Sequence, residues 1–239
     1  MGRIQNLPMN CNFIARHYEL LEHLSFGKCL ERRRFAFLQE TRSSLRAILC
    51  GGGDGRFLGR LLCSNPLVEV DFVELSRNMT ELAERRVAAL GRSFRERVKF
   101  YAGDVREFAT RPEGYDLIVT NFFLDCFTEP ELGQVVARLA RSAAPQARWI
   151  VSEFREADGL FGRFWTTAII RGLYAAFRLT TGLRVTTLPD YAAALASQSF
   201  EIRCEETAFG GLLHSSLWEG GSPHPGILSR IGDSATAAL

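Results

Sequence analysis

The chain has 239 residues, of which 46% are apolar and 23% are charged, a composition typical of one globular domain with a sizeable core. Its formal net charge of +2 gives no electrostatic reason to expect a nucleic-acid partner. Six cysteines without C-x-x-C spacing indicate reduced thiols, and four histidines without ligand spacing argue against a metal site. We therefore expect a cytoplasmic protein without a membrane span.

Residues 1–40 are predicted to form an N-terminal helical cap. Residues 13–24 carry apolar side chains at helical spacing, and residues 29–39 form a second helix after a Ser-Phe-Gly break. This second helix contains three consecutive arginines, Arg32, Arg33 and Arg34. We interpret them as part of a solvated helix face.

From residue 41 to 219 strands alternate with helices. The apolar runs predict strands over 47–50, 68–75, 98–102, 116–120 and 148–153. Ser76 is placed to cap the helix that follows the second strand. The alternation predicts an α/β fold, with a Rossmann-like, mostly parallel twisted sheet and helices on both faces.

The alternation ends after residue 153. Residues 160–198 are predicted to form a helical insert or lid, with helices over 160–180 and 189–198. Residues 200–205 and 211–218 then resemble two strands joined by a short turn, so they should pair antiparallel at a sheet edge. Residues 220–239 are rich in Gly, Ser, Pro and Ala, which predicts a flexible tail.

A glycine-rich loop follows the first predicted strand. Gly51, Gly53 and Gly55 alternate along it, and a helix begins directly afterwards, so backbone N–H groups can approach a ligand closely. Glu74 ends the second strand about 20 residues later, where an acid can accept hydrogen bonds from ribose hydroxyls. The G-x-G-x-G spacing differs from the dinucleotide G-x-G-x-x-G pattern, and no Lys-Ser/Thr pair follows, which excludes a P-loop.

Together these motifs resemble the class I S-adenosylmethionine-dependent methyltransferases over roughly residues 13–218. The resemblance is carried by ILCGGGDG, VELSRNMTELAERR, VKFYAGDVREF and YDLIVTNFFLDCF. It implies S-adenosyl-L-methionine as cofactor, S-adenosyl-L-homocysteine as product, and Asp104 near the adenine amine. The cofactor contacts that it implies are Gly51, Gly53, Gly55, Glu74, Leu75, Asp104, Val105, Asn121, Phe122 and Tyr18. Tyr18 comes from FIARHYELLEHLSFG, which is similar to the start of the ubiquinone/menaquinone C-methyltransferases.

Two departures bear on this resemblance. The family often has an acid two residues before the first loop glycine, where this chain has Leu49. The usual contact to the methionine amino group is then missing, although Asp54 or Asn121 could compensate. The string GGGDG also resembles spermidine synthases, but Asn121-Phe122-Phe123 replaces the Asp-rich strand end of those enzymes. Methyl transfer is therefore favoured over aminopropyl transfer.

The chemistry of methyl transfer requires alignment of an acceptor, with a general base only if the acceptor must lose a proton. Asp125 is the first candidate for that base, since it follows the fourth strand closely. Tyr18, Glu153 and His214 are further candidates. The alternative interpretations are a helix-start acid for Asp125 and a structural residue on an edge strand for His214.

The insert is expected to determine the acceptor. Residues 160–180 are apolar, with Arg163, Arg171 and Arg178 near one helix face. One interpretation is a lid over a small aromatic or lipophilic acceptor. Others are an amphipathic helix in peripheral contact with an anionic membrane, or a helix packed on the core. We predict a methyltransferase for such an acceptor. An aminopropyl transferase and a non-catalytic cofactor-binding partner protein remain as alternatives.

Overall fold

A seven-stranded sheet forms the centre of the molecule. The computed structural model describes residues 28–110, 114–157, 159, 164–172, 185 and 188–220. The strands are β1 Arg46–Cys50, β2 Glu69–Glu74, β3 Val98–Ala102, β4 Tyr115–Asn121, β5 Ala143–Phe154, β6 Phe200–Ala208 and β7 Leu213–Gly220. Their order in the sheet is β3-β2-β1-β4-β5-β7-β6; β1 to β5 run parallel, and β7 is antiparallel to both β5 and β6.

Helices follow the strands as the alternation predicts. The α-helices with full bounds are α1 Lys28–Arg34, α2 Arg56–Ser64, α3 Arg77–Leu90, α4 Arg92–Arg95, α5 Glu129–Ser142 and α6 Tyr191–Ser197. Two 3-10 turns, Leu38–Thr41 and Leu124–Cys126, precede β1 and α5. Residues 164–172 are also helical.

Local capping chemistry fixes where the helices begin. The Ser76 side chain accepts a hydrogen bond from the Met79 N–H at 3.4 Å, which confirms its predicted capping of α3. At the start of α5, the Thr128 N–H donates to the Glu131 carboxylate at 3.1 Å, and Pro130 occupies the first turn. These contacts satisfy backbone donors that have no partner within a helix.

The core lies on both faces of the sheet. On one face, Leu58 and Leu61 of α2 pack with Phe72 of β2. On the other, Val136 of α5 and Trp149 of β5 pack with Phe200 of β6. Burial on both faces explains why the central strands are continuous apolar runs, and it places the carboxyl ends of β1, β2, β4 and β5 at one edge of the sheet.

The predicted fold class is confirmed. The differences from the prediction are at the edge of the sheet and at the ends of individual helices and strands. β7 lies between β5 and β6, so the prediction that His214 is on an edge strand is wrong; β6 is the edge. The predicted helix over 29–39 ends at Arg34, and a 3-10 turn follows. The fifth strand begins five residues earlier than expected, at Ala143, and Gly220 belongs to β7 rather than to the tail.

Several predictions lie outside the described residues. They are the first cap helix over 13–24, Tyr18 and the quinone-methyltransferase-like segment 13–27, residues 221–239, and the insert apart from residue 185 and the stretches 164–172 and 188–198. Among the residues described, no helix is long and apolar enough to cross a membrane. Within the same set, no group of three or more His, Cys, Asp or Glu side chains could hold a metal ion.

The interpretation of Arg32–Arg34 as a solvated face is wrong for Arg34. Arg32 is exposed, but Arg34 is only 8% exposed. The reason is tertiary: α1 lies against β6 and β7, so the last turn of this helix faces the protein rather than water.

Candidate active site

The glycine loop after β1 adopts a backbone that requires its glycines. Gly51, Gly53 and Gly55 all have positive φ, at 64°, 57° and 79°, a region that residues with a Cβ rarely adopt. A Cβ at Gly55 would also lie 2.7 Å from the Ala83 Cβ, whereas one at Gly53 would meet nothing within 4 Å. The alternate spacing of the glycines therefore reflects the conformation of the loop, and Gly53 faces open space.

Glu74, at the end of β2, is bound to this loop. One carboxylate oxygen accepts from the Gly53 N–H at 3.0 Å and the other from the Ser76 N–H at 2.9 Å. Burial raises the pKa of Glu74, and the two backbone hydrogen bonds oppose that shift. The predicted ribose-binding acid thus lies against the glycine loop, with its carboxylate already oriented by the backbone.

A cleft opens beside the loop. It brings together four of the predicted contacts, Gly51, Gly53, Asn121 and Phe122, with Leu49 also in its wall. The side-chain oxygen of Asn121 is buried and has no hydrogen-bond partner among the described residues. A glycine cradle and an unsatisfied acceptor fit a ligand that carries hydrogen-bond donors.

Among the described residues, the other predicted cofactor contacts do not line the cleft; these are Gly55, Glu74, Leu75, Asp104 and Val105. The Asp104 carboxylate is held by Arg106, with an ion pair of 2.6 Å. Burial would raise the pKa of Asp104, but the hydrogen bonds and charge of Arg106 hold it below its usual range. Val105 is buried and Leu75 is 42% exposed. The Gly103 N–H donates to the Glu74 carbonyl at 2.9 Å, which links this loop to β2.

Aromatic rings surround the turn that follows β4. Phe122 has a φ of 54°, a conformation that favours glycine and is found at functional sites where surrounding contacts enforce it; its N–H donates to the Ser152 carbonyl at 2.6 Å. Its ring lies 5.3 Å from that of Phe154, and Phe123 meets Phe127 at 5.0 Å. The carboxyl ends of β4 and β5 therefore present an apolar, aromatic surface.

A buried carboxyl pair lies beneath this turn. Glu153 of β5 is fully buried, and one of its oxygens accepts from the N–H groups of Phe123 at 3.0 Å and Leu124 at 2.7 Å. Asp125 is its neighbour and is 6% exposed. Burial first, and then the Asp125 charge, raise the pKa of Glu153 well above its ordinary value. The pair therefore retains a proton more readily than two separate acids do.

His214 lies opposite Glu153 in the antiparallel pair of β5 and β7. Its Nδ1 is 2.6 Å from the Tyr191 hydroxyl, and its Nε2 is 3.0 Å from the Glu205 carboxylate. Burial lowers the pKa of His214, and the hydrogen bond to Glu205 opposes that shift. Since both ring nitrogens already have hydrogen-bond partners, the imidazole can form a hydrogen bond with a ligand only if the ligand displaces one of them.

The structure thus brings the predicted Asp125, Glu153 and His214 to one region of the sheet. Tyr191 and Glu205 were not identified from the sequence. No motif marks them, because they meet His214 only through the packing of α6 and β6 on β7. Burial is the larger cause that raises the pKa of Tyr191, and the charge of Glu153 raises it further.

Comparisons with known proteins agree with this architecture. Residues 50–149 match the family model described as a methyltransferase domain. The malonyl-acyl-carrier-protein O-methyltransferase of Halalkalibacterium halodurans is 30% identical over 154 residues, which are 59% of this chain and 54% of that protein. The chain therefore spans about half the length of this relative.

Two solved structures share the fold. An O-methyltransferase family protein from Burkholderia thailandensis aligns with a TM-score of 0.64 and 14% identity, covering 89% of this chain and 59% of that one. The N-methyltransferase NodS from Bradyrhizobium japonicum, solved with S-adenosyl-L-homocysteine, aligns with a TM-score of 0.59 and 15% identity, covering 82% and 89%. At such identities the similarity establishes the fold alone.

A mostly parallel seven-stranded sheet, with a glycine loop after β1 and an acid at the end of β2, defines the Rossmann-like fold of methyltransferases. Residues 50–149, less than half of the chain, match the methyltransferase-domain model, so this stretch is similar to the class I S-adenosylmethionine-dependent methyltransferases.

Proposed function

We propose that the protein transfers the methyl group of S-adenosyl-L-methionine to a small aromatic or lipophilic acceptor. The observation that carries the cofactor half of this proposal is the glycine loop with positive φ at three alternate glycines and Glu74 bonded to Gly53. The positive φ favours glycine at each of those positions, and the absence of side chains there lets a ligand approach the backbone of the loop closely.

When bound, the cofactor supplies an electrophilic methyl group on a sulfonium. In this proposal Glu74 accepts hydrogen bonds from the ribose hydroxyls. Asp104 keeps Arg106 as its partner, so any contact from this carboxylate to the adenine amine is shared with a guanidinium. Val105 and Leu75 supply apolar contacts beside it.

The nature of the acceptor is inferred from the aromatic surface at the ends of β4 and β5. Phe122 and Phe154 form one ring pair, and Phe123 and Phe127 form another. Flat apolar molecules gain more from such rings than charged ones do. The helical residues 164–172 expose Phe164 and Trp165, which supports the interpretation of this segment as an apolar lid.

Asp125 and Glu153 are the proposed destination of the proton that an O–H or N–H acceptor must lose. A buried carboxyl pair that holds a single proton carries one negative charge and can accept a second proton. His214 is proposed to act through Tyr191 and Glu205 as a positioning residue, because its two ring nitrogens are occupied.

The first experiment is calorimetric titration of the purified protein with S-adenosylmethionine and S-adenosylhomocysteine. NAD and decarboxylated S-adenosylmethionine are the controls. Binding of the first two alone is the expected result, and binding of NAD alone would overturn the proposal. Tighter binding of the decarboxylated compound would favour aminopropyl transfer.

A second experiment addresses turnover. The protein is incubated with S-adenosylmethionine and a panel of phenolic, quinone-like and lipid compounds, and S-adenosylhomocysteine is measured by mass spectrometry. Its acceptor-dependent formation with an aromatic or lipophilic compound is expected. Cofactor binding without any product across the panel would favour the non-catalytic partner protein.

A further inference from the structure

The helical residues 164–172 after β5 present two different faces. Positions 166 and 170 are buried, whereas positions 164, 165, 168, 171 and 172 are exposed. Residues that are three, four or seven apart share one face of an α-helix, as 164, 168 and 171 do. The exposed positions therefore form one continuous outer face, and the buried positions form an inner face towards the protein.

The inner face is fixed by packing and by a hydrogen bond. Ile170 is 5% exposed and lies in a buried cluster with Leu213 of β7. The Ala157 N–H donates to the Thr166 hydroxyl oxygen at 3.1 Å. These contacts determine how the helix is rotated about its axis, so the outer face is directed away from the protein.

Two adjacent aromatic rings stand on the outer face. Phe164 is 76% exposed and Trp165 is 62% exposed, and they are the most exposed aromatic side chains among the described residues. Single exposed apolar side chains are common on protein surfaces, but two neighbouring rings on one face leave a larger apolar area in water. Such an area is typical of a contact surface.

The charge of this region is positive without compensation. Arg171 is exposed on the same face, and among the described residues no carboxylate is paired with it. In the sequence, residues 159–189 contain four arginines and no acidic residue, although the whole chain has a net charge of only +2. This charge complements an anionic surface, and it disfavours contact with the same segment of a second copy.

We propose that the outer face of residues 164–172 rests on an anionic lipid surface. Phe164 and Trp165 enter the boundary between headgroups and acyl chains, where aromatic side chains are enriched. Arg171 binds lipid phosphate groups, which match the planar fork of a guanidinium. The contact is one of lying on the membrane rather than crossing it, and it requires neither the cofactor nor an acceptor.

The position of this helix adds a consequence for the acceptor. Its inner face belongs to the cluster against which Phe122 and Phe154 pack, at the carboxyl ends of β4 and β5. A lipid surface on the outer face therefore lies close to the acceptor side, where a lipophilic acceptor dissolved in the membrane can be reached. Only this consequence rests on the proposed function.

The chain contains its own reporter for the contact. Of its three tryptophans, Trp149 and Trp218 are 0% and 5% exposed, so a change in tryptophan emission on lipid binding should come from Trp165. The protein is titrated, without cofactor, with vesicles of phosphatidylcholine alone or mixed equally with phosphatidylglycerol. The mixed vesicles should shift the emission to shorter wavelength, and brominated acyl chains should quench it. Phosphatidylcholine alone should give a much smaller change.

Co-sedimentation of variants with the mixed vesicles identifies the residues responsible. The double variant Phe164→Ser, Trp165→Ser should bind at least about tenfold more weakly, since two aromatic side chains no longer leave water. Arg171→Gln should weaken binding about fivefold, and only to vesicles that contain the anionic lipid. Leu67→Ser, at a position 70% exposed, and Arg46→Gln are the matched controls. Both precede or begin strands at the opposite edge of the sheet, and both should leave binding unchanged.

Several results would overturn the proposal: no binding of the unaltered protein to mixed vesicles, equal binding to both kinds of vesicle, or an equal loss in Leu67→Ser. Trp165→Phe should still sediment with vesicles but show no spectral shift; a persistent shift would contradict the placement of Trp165 in the lipid. If the double variant turns a dimer into a monomer in ultracentrifugation and binds vesicles normally, the face is an interface between copies instead. Because the vesicles contain no cofactor, failure here leaves the proposed function to its own test, the titration with S-adenosylhomocysteine.

Discussion

The two sides of the candidate site are built in different ways. The cofactor side, at the carboxyl ends of β1 and β2, uses backbone conformation: three glycines with positive φ and one carboxylate bonded to their loop. The acceptor side, at the ends of β4, β5 and β7, uses buried side chains from distant segments, with Glu153 bonded to the Phe123 and Leu124 N–H groups. Substitutions on the cofactor side should therefore affect the loop, and those on the acceptor side should affect proton chemistry.

The largest expected effect is on the acceptor side. Asp125→Asn removes the proposed proton acceptor while keeping the side-chain shape, so kcat with an O–H or N–H acceptor should fall about a thousandfold, within the usual range for general-base catalysis. Calorimetry should give a nearly unchanged affinity for S-adenosylhomocysteine. Glu107→Gln, at an exposed position, is the control. Loss of cofactor affinity together with activity would show instead that Asp125 serves the cofactor side or the fold.

On the cofactor side, Gly55→Ala should lower the free energy of unfolding by about 3 kcal/mol, since it combines an unfavourable φ with a clash against Ala83. Gly53→Ala has the same unfavourable φ but open space around its Cβ, so it should cost about 1–2 kcal/mol. Chemical denaturation measures both. Gly103→Ala, with neither feature, is the control, and an equal cost at all three positions would contradict the stated cause.

Glu74→Ala should weaken S-adenosylhomocysteine binding by about 1–3 kcal/mol, the range for removing a partner from a buried polar group. The structure adds that the same change releases the Gly53 and Ser76 N–H groups, so a loss of stability should accompany it. Calorimetry measures the loss of affinity, and chemical denaturation measures the loss of stability. Glu69→Ala, at the exposed start of β2, is the control; unchanged affinity in Glu74→Ala would refute the ribose contact.

A smaller effect should appear in the pH dependence of stability. Because the folded-state pKa of Glu153 lies above its ordinary value of 4.5, the folded protein holds that proton when the unfolded chain has lost it. Stability therefore falls as the pH rises above 4.5 towards the folded-state pKa, by at most about 1.4 kcal/mol per pH unit. Glu153→Gln should remove this slope, measured by denaturation across that range, with exposed Glu201→Gln as control. An unchanged slope would mean that Glu153 is ionised in the fold.

The comparison of the two sides also explains what could be predicted from the sequence. Some residues could be identified because they act within short segments: Gly51, Gly53, Gly55, Glu74 and Ser76. Their spacing reflects the conformation of the local backbone or the capping of a helix end. His214 and Arg34 depend on which strands and helices become neighbours. Spacing along the chain placed His214 on an edge strand and Arg34 in solvent, and both placements were wrong.

The sequence by itself determined the alternating strands and helices, the glycine loop and the acid at the end of β2. Hydrophobic periodicity, glycine conformation and helix capping are all local, so they can be recognised without coordinates. Only the tertiary structure decided that β7 inserts between β5 and β6, that Asp125 and Glu153 form a pair, and that Arg34 reaches the cleft. Each of these depends on contacts between residues far apart in the chain, where burial and hydrogen bonds to distant partners determine the arrangement.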